Sequence, residues 1–167
     1  AADDDADFRS IRGLLADLLR VSVEFAPLAE IALGHKAQHV AAERNQKLLD
    51  RLWTESSRLG GRVGFVWLDD HNTATDGRAD DVATDGRGFL DGRAGVTGRA
   101  DHFVDADPEY ESLVRRLLGR TWFVEKLEHA LALADSAGAG MTFVTAAGEL
   151  LEPDGTLTVG PRNASTG

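Results

Sequence analysis

No cysteine occurs among the 167 residues, which excludes disulfides, thiol catalysis and cysteine-ligated zinc and fits a reducing compartment such as the cytoplasm. Long apolar runs are missing too. None approaches the ~20 residues that cross a bilayer, and the opening AADDDADF is acidic where an export signal is basic, so no membrane partner is expected. Positive charge is scarce, with 18 basic against 28 acidic side chains and a net charge of −10. Residues 1–70 carry 9 basic and 12 acidic groups, residues 71–95 carry 3 and 5, and residues 96–167 carry 6 and 11. A protein that holds phosphates by counterion release concentrates positive charge on one face, so nucleic acid is a poor default partner. Phosphate-cradling glycine loops, nucleophile elbows and dinucleotide fingerprints are absent, and neither a cofactor nor a small-molecule substrate is expected.

What the chain does contain is an internal duplication. FAPLAEIALG (residues 25–34) and YESLVRRLLG (residues 110–119) place Phe25, Leu28, Ala29, Ala32 and Leu33, and again Tyr110, Leu113, Val114, Leu117 and Leu118, at the spacing of one helix face, each run closed by glycine. Ala16-Asp17 and Ala100-Asp101 precede the two copies, and Phe65-Val66 and Phe143-Val144 follow them. Two halves built alike imply a pseudo-symmetric α/β domain of two small subdomains, each a mixed sheet with helices. In the second copy Asp107 is placed to cap the helix, Pro108 fits its first position, and Gly119 is expected to end it in a left-handed conformation. Ser22 is the expected cap of the first copy, where Pro27 falls in the opening turn.

Along the first half, residues 13–21 read as a short strand or strand-turn, 36–42 as a strand and 44–59 as a helix using Leu48, Leu49, Leu52, Trp53 and Leu59. Gly60-Gly61 stops that helix, and Val63, Phe65 and Trp67 alternate as in a half-buried strand. Residues 69–95 hold three Asp-Gly-Arg triplets, at Asp76, Asp85 and Asp91, in a composition that turns easily and buries little. We therefore expect subdomain 1 over residues 1–70, a linker over 71–95 and subdomain 2 over 96–167. The step between the first two triplets resembles calcium-binding nonapeptide repeats, but two units cannot stack into such a structure. In the second half, strands are expected near 97–104, 121–124 and 141–144, with helices at 108–118 and 125–137. GELLEPDGTLTVGP (148–161) adds two short strands around a turn at Pro153-Asp154-Gly155, without counterpart in the first half.

Other chemistry finds little support. His35 and His39 are four apart, but Gly34 ends the helix between them and the copy before it, so no metal site is expected there. Asp69, Asp70 and His71 read as a solvated turn. Arg44, Lys47, Arg51 and Arg58 lie along one helical stripe, yet Glu43, Asp50 and Glu55 interleave with them, as on a solvated face. No pair of carboxylates can be named for acid–base work, and no enzyme is expected.

FRSIRGLLADLLRVSVEFAPLAEIALGHKAQHV and GRVGFVWLDD resemble the first half of the hinge domain of SMC (structural maintenance of chromosomes) proteins. GRADHFVDADPEYESLVRRLLGRTWFVEKLEHALALA and FVTAAGELLEPDGTLTVGPRNASTG resemble its second half. The resemblance implies a homodimerisation domain in the middle of a longer chain, between two coiled-coil arms, with the ATP-binding heads elsewhere and a role in chromosome condensation and segregation beside the nucleoid. The non-methionine start and the PRNASTG ending fit such an excised piece. In that family two hinges meet twice, the first subdomain of one against the second of the other. A sheet's last strand recruits another strand unless blocked, and glycines there permit close approach. On that argument the first half offers Gly60, Gly61 and Gly64 beside its last strand; by resemblance, pairing falls on Gly148, Gly155 and Gly160, with Leu157 and Thr158 as the intervening strand residues. Val159-Gly160-Pro161 departs from the adjacent glycines the family often has here. Family hinges can also touch DNA near the coiled-coil junction, where Arg9, Arg12, Arg20 and Arg162 would fall; this is the alternative function.

Overall fold

Each half of the sequence builds the same run of elements. The computed structural model describes residues 10–68 and 90–160. The first half comprises β1 (Ile11–Leu14), a short helix α1 (Leu15–Leu18), β2 (Leu19–Val21), α2 (Ala26–Leu33), a 3-10 turn (Gly34–Gln38), β3 (Val40–Ala42), α3 (Gln46–Glu55), a second 3-10 turn (Ser56–Arg58) and β4 (Phe65–Trp67). Its counterpart comprises β5 (Val96–Arg99), a 3-10 turn (Ala100–Phe103), β6 (Val104–Ala106), a further 3-10 turn (Pro108–Tyr110), α4 (Glu111–Leu118), β7 (Thr121–Val124), α5 (Leu127–Ala134) and β8 (Thr142–Thr145). β9 (Leu150–Leu151) and β10 (Leu157–Thr158) follow.

The duplicated helices are both eight residues long and both entered through an aromatic residue in helical conformation, Phe25 (φ −101°, ψ −8°) and Tyr110 (φ −104°, ψ −3°). Their endings differ. Gly34 is left-handed at φ +57°, its amide donating to the Glu30 carbonyl, whereas Gly119 stays right-handed at φ −71°. Glycine is needed at 119 for space, because a Cβ would lie 2.4 Å from the Arg115 carbonyl oxygen. Two expected caps are also corrected. Asp107 sits at the start of the Pro108–Tyr110 turn but gives its carboxylate to Arg20 instead of the helix amides, and Ser22 receives the Phe25 and Ala26 amides on its backbone carbonyl.

The strand or strand-turn expected at 13–21 and the strand expected at 97–104 are each divided by a helical turn, α1 and Ala100–Phe103, and the strand expected at 36–42 is confined to Val40–Ala42 by the Gly34–Gln38 turn. The first two divisions have a geometric cause: β1 and β2, like β5 and β6, belong to different sheets, and a turn of helix carries the chain from one to the next. The first sheet has the order β1-β3-β4, with β1 antiparallel to β3 and β3 parallel to β4. A larger sheet, β10-β9-β8-β7-β5, repeats that arrangement in β5, β7 and β8 and extends it by two antiparallel strands. Even the irregularities repeat. β1 skips a residue between Ile11 and Gly13, β5 between Val96 and Gly98, and the two skipping glycines are at φ +130° and +157°.

A third, two-stranded sheet joins the halves. β2 pairs antiparallel with its own counterpart β6, Leu19 opposite Ala106, Arg20 opposite Asp105 and Val21 opposite Val104. Arg20 and Asp105 are equivalent positions 85 residues apart, so a pseudo-twofold axis passes between them. Packing follows that axis. Leu15, Leu33, Ala37, Ala41 and Val66 from the first half share one buried cluster with Ala100, Tyr110, Leu113, Leu118, Phe123 and Val144 from the second. Phe25 stacks across the junction on Phe103 and Phe123, with ring centroids 4.3 and 6.0 Å away. Arg99, only 4% exposed, is neutralised by a two-pronged bond to Asp101 at 2.6 and 2.9 Å.

The expected linker, 71–95, also ends sooner than its composition suggests. Leu90 is fully buried with Trp122, Val124, Phe143 and Leu151, and the Asp91-Gly92-Arg93 turn is closed by the Arg93 amide on the Leu90 carbonyl. The triplets at Asp76 and Asp85, and Asp69, Asp70 and His71, lie outside the described residues.

Because both halves contribute to one core, they should unfold together. Phe123→Ala is expected to cost about 3–5 kcal/mol, as for a large buried aromatic. Urea unfolding followed by far-ultraviolet circular dichroism and by tryptophan fluorescence should stay a single coincident transition; separate transitions for the two probes would show that the halves are energetically independent.

Candidate functional site

Among the described residues, the two longest stretches exposed at every position are 56–63 in the first half and 152–160 in the second. Each adjoins a strand at the end of a sheet.

The first is delivered by α3. Asn45 caps that helix, its Oδ1 accepting the Leu48 amide at 2.7 Å, and Leu48 is buried. Trp53 was expected inward beside Leu48, but it is 88% exposed. Five residues at about 100° each put it roughly 140° round the helix from Leu48, on the opposite face. Leu59 and Val63 are exposed as well, and the chain from Ser56 through Gly60 and Gly61 then enters β4. Phe65 and Trp67 stack in parallel with centroids 5.7 Å apart, and the Trp67 carbonyl accepts a bond from Arg116 of α4. Gly61 has open space where a side chain would go. Gly64 does not: a Cβ there would lie 2.2 Å from the His39 imidazole, so this glycine makes room inside the chain.

The second stretch is the closing hairpin. The Glu152 amide donates to the Thr156 carbonyl and the Gly155 amide to the Glu152 carbonyl, while Asp154 Oδ1 accepts the Thr156 amide at 2.8 Å. Bonds from Thr156 hold the Asp154 carboxyl below the usual carboxylate range. Gly155, at φ +91°, is a turn residue, and Gly160, at φ +112°, faces open space. β10 is the last strand of its sheet; Leu157 and Thr158 are exposed, as is Val159 at 60%. Gly148, at φ +87°, lies at the base of the hairpin, where a Cβ would come within 3.2 Å of Ile31 of α2. The expected pairing residues thus separate into an exposed group, Gly61, Gly155, Leu157, Thr158 and Gly160, and two packed inward, Gly64 and Gly148.

Of the four arginines considered for DNA, Arg9 and Arg162 lie outside the described residues. Arg12 reaches Glu43 at 2.6 Å and Glu109 at 3.6 Å. Arg20 bonds Asp105 at 3.0 Å and Asp107 at 3.2 Å, and these carboxylates, Asp105 first, raise its pKa further. Both described arginines therefore bridge the two halves, with their charge already matched. His39 lies on Gly64 and not against a second histidine.

The reading of the sequence missed Trp53, Leu59, Val63 and Val159 as surface residues. The angular offset of Trp53 from Leu48 was the available signal for the first; the others lie in irregular chain, where no periodicity exists to read.

Comparison with known proteins converges on one family. The SMC proteins flexible hinge domain matches residues 8–134. A chromosome partition protein Smc from Rhodopirellula baltica is 40% identical over 159 residues, which are 95% of this chain and 13% of that protein. Its namesake from Bacillus subtilis is 30% identical over 151 residues, 90% of this chain and 12% of that protein. The chain therefore spans about one-eighth of the length of these relatives. Among solved structures, the Pyrococcus furiosus SMC protein hinge domain superposes with a TM-score of 0.67 at 25% identity, over 94% of this chain and 76% of that one. An asymmetric dimer of the Geobacillus stearothermophilus SMC hinge domain gives 0.72 at 23% identity, over 93% and 61%.

Two outcomes check this geometry. Gly64→Val should cost about 1–3 kcal/mol in thermal or urea melts by displacing His39, whereas Gly61→Ala should leave stability unchanged. Because the folded pKa of Asp154 is depressed, the ionised turn is favoured above the ordinary aspartate pKa of about 3.9 and weakens as pH falls through the lower folded value. The midpoint of the Thr156 amide shift in an NMR titration should accordingly fall below the ordinary aspartate value.

Proposed function

The chain belongs to the SMC hinge family, and on that premise we propose that it is a homodimerisation hinge within a chromosome-partitioning protein, holding two long arms together and performing no catalysis. The observation that carries the reading is the pair of uninterrupted exposed stretches, each bearing apolar side chains: Leu59 and Val63 on one, with Trp53 exposed shortly before it on α3, and Leu157 and Val159 on the other. Large apolar residues left exposed beside sheet ends mark surfaces that a partner covers.

The two faces differ from one another, and this dictates how copies meet. In a closed twofold dimer any contact of face one with face two is made twice, once in each direction. Gly155 and Gly160 let the hairpin turn and approach, Leu157 and Thr158 supply the strand, and Gly61 leaves the opposite face unobstructed. Gly64 and Gly148 serve by shaping those faces from inside. A cytoplasmic location beside the nucleoid follows from the same reading, in keeping with relatives named as chromosome partition proteins. DNA binding is the weaker alternative, since Arg12 and Arg20 are matched to carboxylates within the chain.

The isolated chain should sediment as a dimer at micromolar concentration; a stable monomer refutes the proposal. Leu157→Asp combined with Val159→Asp, at exposed positions of ordinary backbone conformation, should give a monomer with unchanged circular dichroism. A variant that stays dimeric would remove the hairpin from the interface.

A further inference from the structure

The two exposed faces carry opposite charge. Residues 56–63, SSRLGGRV, contain Arg58 and Arg62 and no acid; residues 152–160, EPDGTLTVG, contain Glu152 and Asp154 and no base. An isolated positive surface is notable on a chain of net charge −10. Neither arginine has an ion partner among the described residues, and the nearby Glu55 is taken by Arg51 at 3.6 Å. On the hairpin, Glu149 is half-buried and engaged by the Thr145 hydroxyl, whereas Glu152 and Asp154 are exposed, the latter also accepting the Thr156 amide. Each charged pair borders an apolar centre, so both faces have the anatomy of an interface with an apolar middle and a charged rim.

Like charges brought together across a contact repel, so resting either face on a copy of itself is disfavoured. We propose that Arg58 and Arg62 of one copy dock against Glu152 and Asp154 of a second copy, and that this charge match selects the order in which the faces pair. The inference rests on the dimer reading and adds to it a rule of partner choice. Rim charges of this kind act chiefly on the rate of encounter and on discrimination between wrong and right surfaces, and they are screened by salt.

Charge reversal separates the two ideas. Arg58→Glu with Arg62→Glu makes both faces acidic, and Glu152→Lys with Asp154→Lys makes both basic. Each variant alone should dimerise at least tenfold more weakly than the unaltered chain in low salt by sedimentation equilibrium. Mixed in equal amounts they should form a heterodimer, since both contacts are then between opposite charges. Carrying all four changes in one chain should restore the homodimer, which also shows that no single pair of changes acts by unfolding the protein. Unaltered chains that dimerise while the variants self-associate equally well, and mix only statistically, would overturn the charge rule and leave the hinge reading standing. An unaltered chain that is monomeric overturns both.

Discussion

The pairing of β2 with β6 is the constraint on which the rest of the molecule depends. Leu19, Arg20 and Val21 lie antiparallel to Val104, Asp105 and Ala106, the corresponding residues of the other half, and this pairing lies on the common axis of the halves. Once they are so placed, α2 and α4 come side by side, Phe25 reaches Phe103 and Phe123, and the buried clusters merge across the junction. Three-stranded sheets this small bury little by themselves. The axis lets each half finish the other's core.

The same arrangement explains why particular surfaces are left over. In the larger sheet β8 is covered along its edge by β9 and β10, while its equivalent in the first half, β4, remains the end strand. The added hairpin is thus a departure from the pseudo-symmetry, and exposed apolar side chains lie on both halves: Trp53, Leu59 and Val63 before β4, Leu157 and Val159 on the hairpin. An addition that satisfied one edge inside the chain created a further one, on β10, of different composition. Unlike faces on one molecule are what reciprocal pairing requires.

Much of this was legible in the sequence because it is periodic. The duplicated helices have the spacing of one helix face, the hairpin around Pro153-Asp154-Gly155 has the residues of a turn, and both fall where expected, as does the short β-branched and aromatic strand Thr121–Val124. Other features depend on tertiary neighbours and left no local trace. The helical turns inside the strands at 13–21 and 97–104 exist because the chain changes sheets. Leu90, amid aspartate and glycine, is buried because the second core has a place for it, and Gly64 is required by His39, 25 positions earlier in the chain. Trp53 was expected inward because it follows Leu52 and lies four residues from Leu49, yet those two leucines are themselves only half-buried and Leu48 alone marks the buried face. The resemblance to hinge domains supplied the pairing role, while the division of its glycines into exposed and inward-packed ones needed the coordinates.

The pseudo-twofold axis between Arg20 and Asp105 has one further consequence. On the dyad of two identical chains a residue faces its own copy, so an ionised side chain there meets its like and is disfavoured. Two repeats within one chain are free of that identity. Here the equivalent positions are cationic in the first repeat and anionic in the second, with Asp107 reinforcing the contrast, and the contact across the axis is an attractive ion pair at 3.0 Å. Exposed as it is, that pair adds little stability. Its meaning is orientational: it distinguishes front repeat from back repeat, a polarity that two identical chains could not possess.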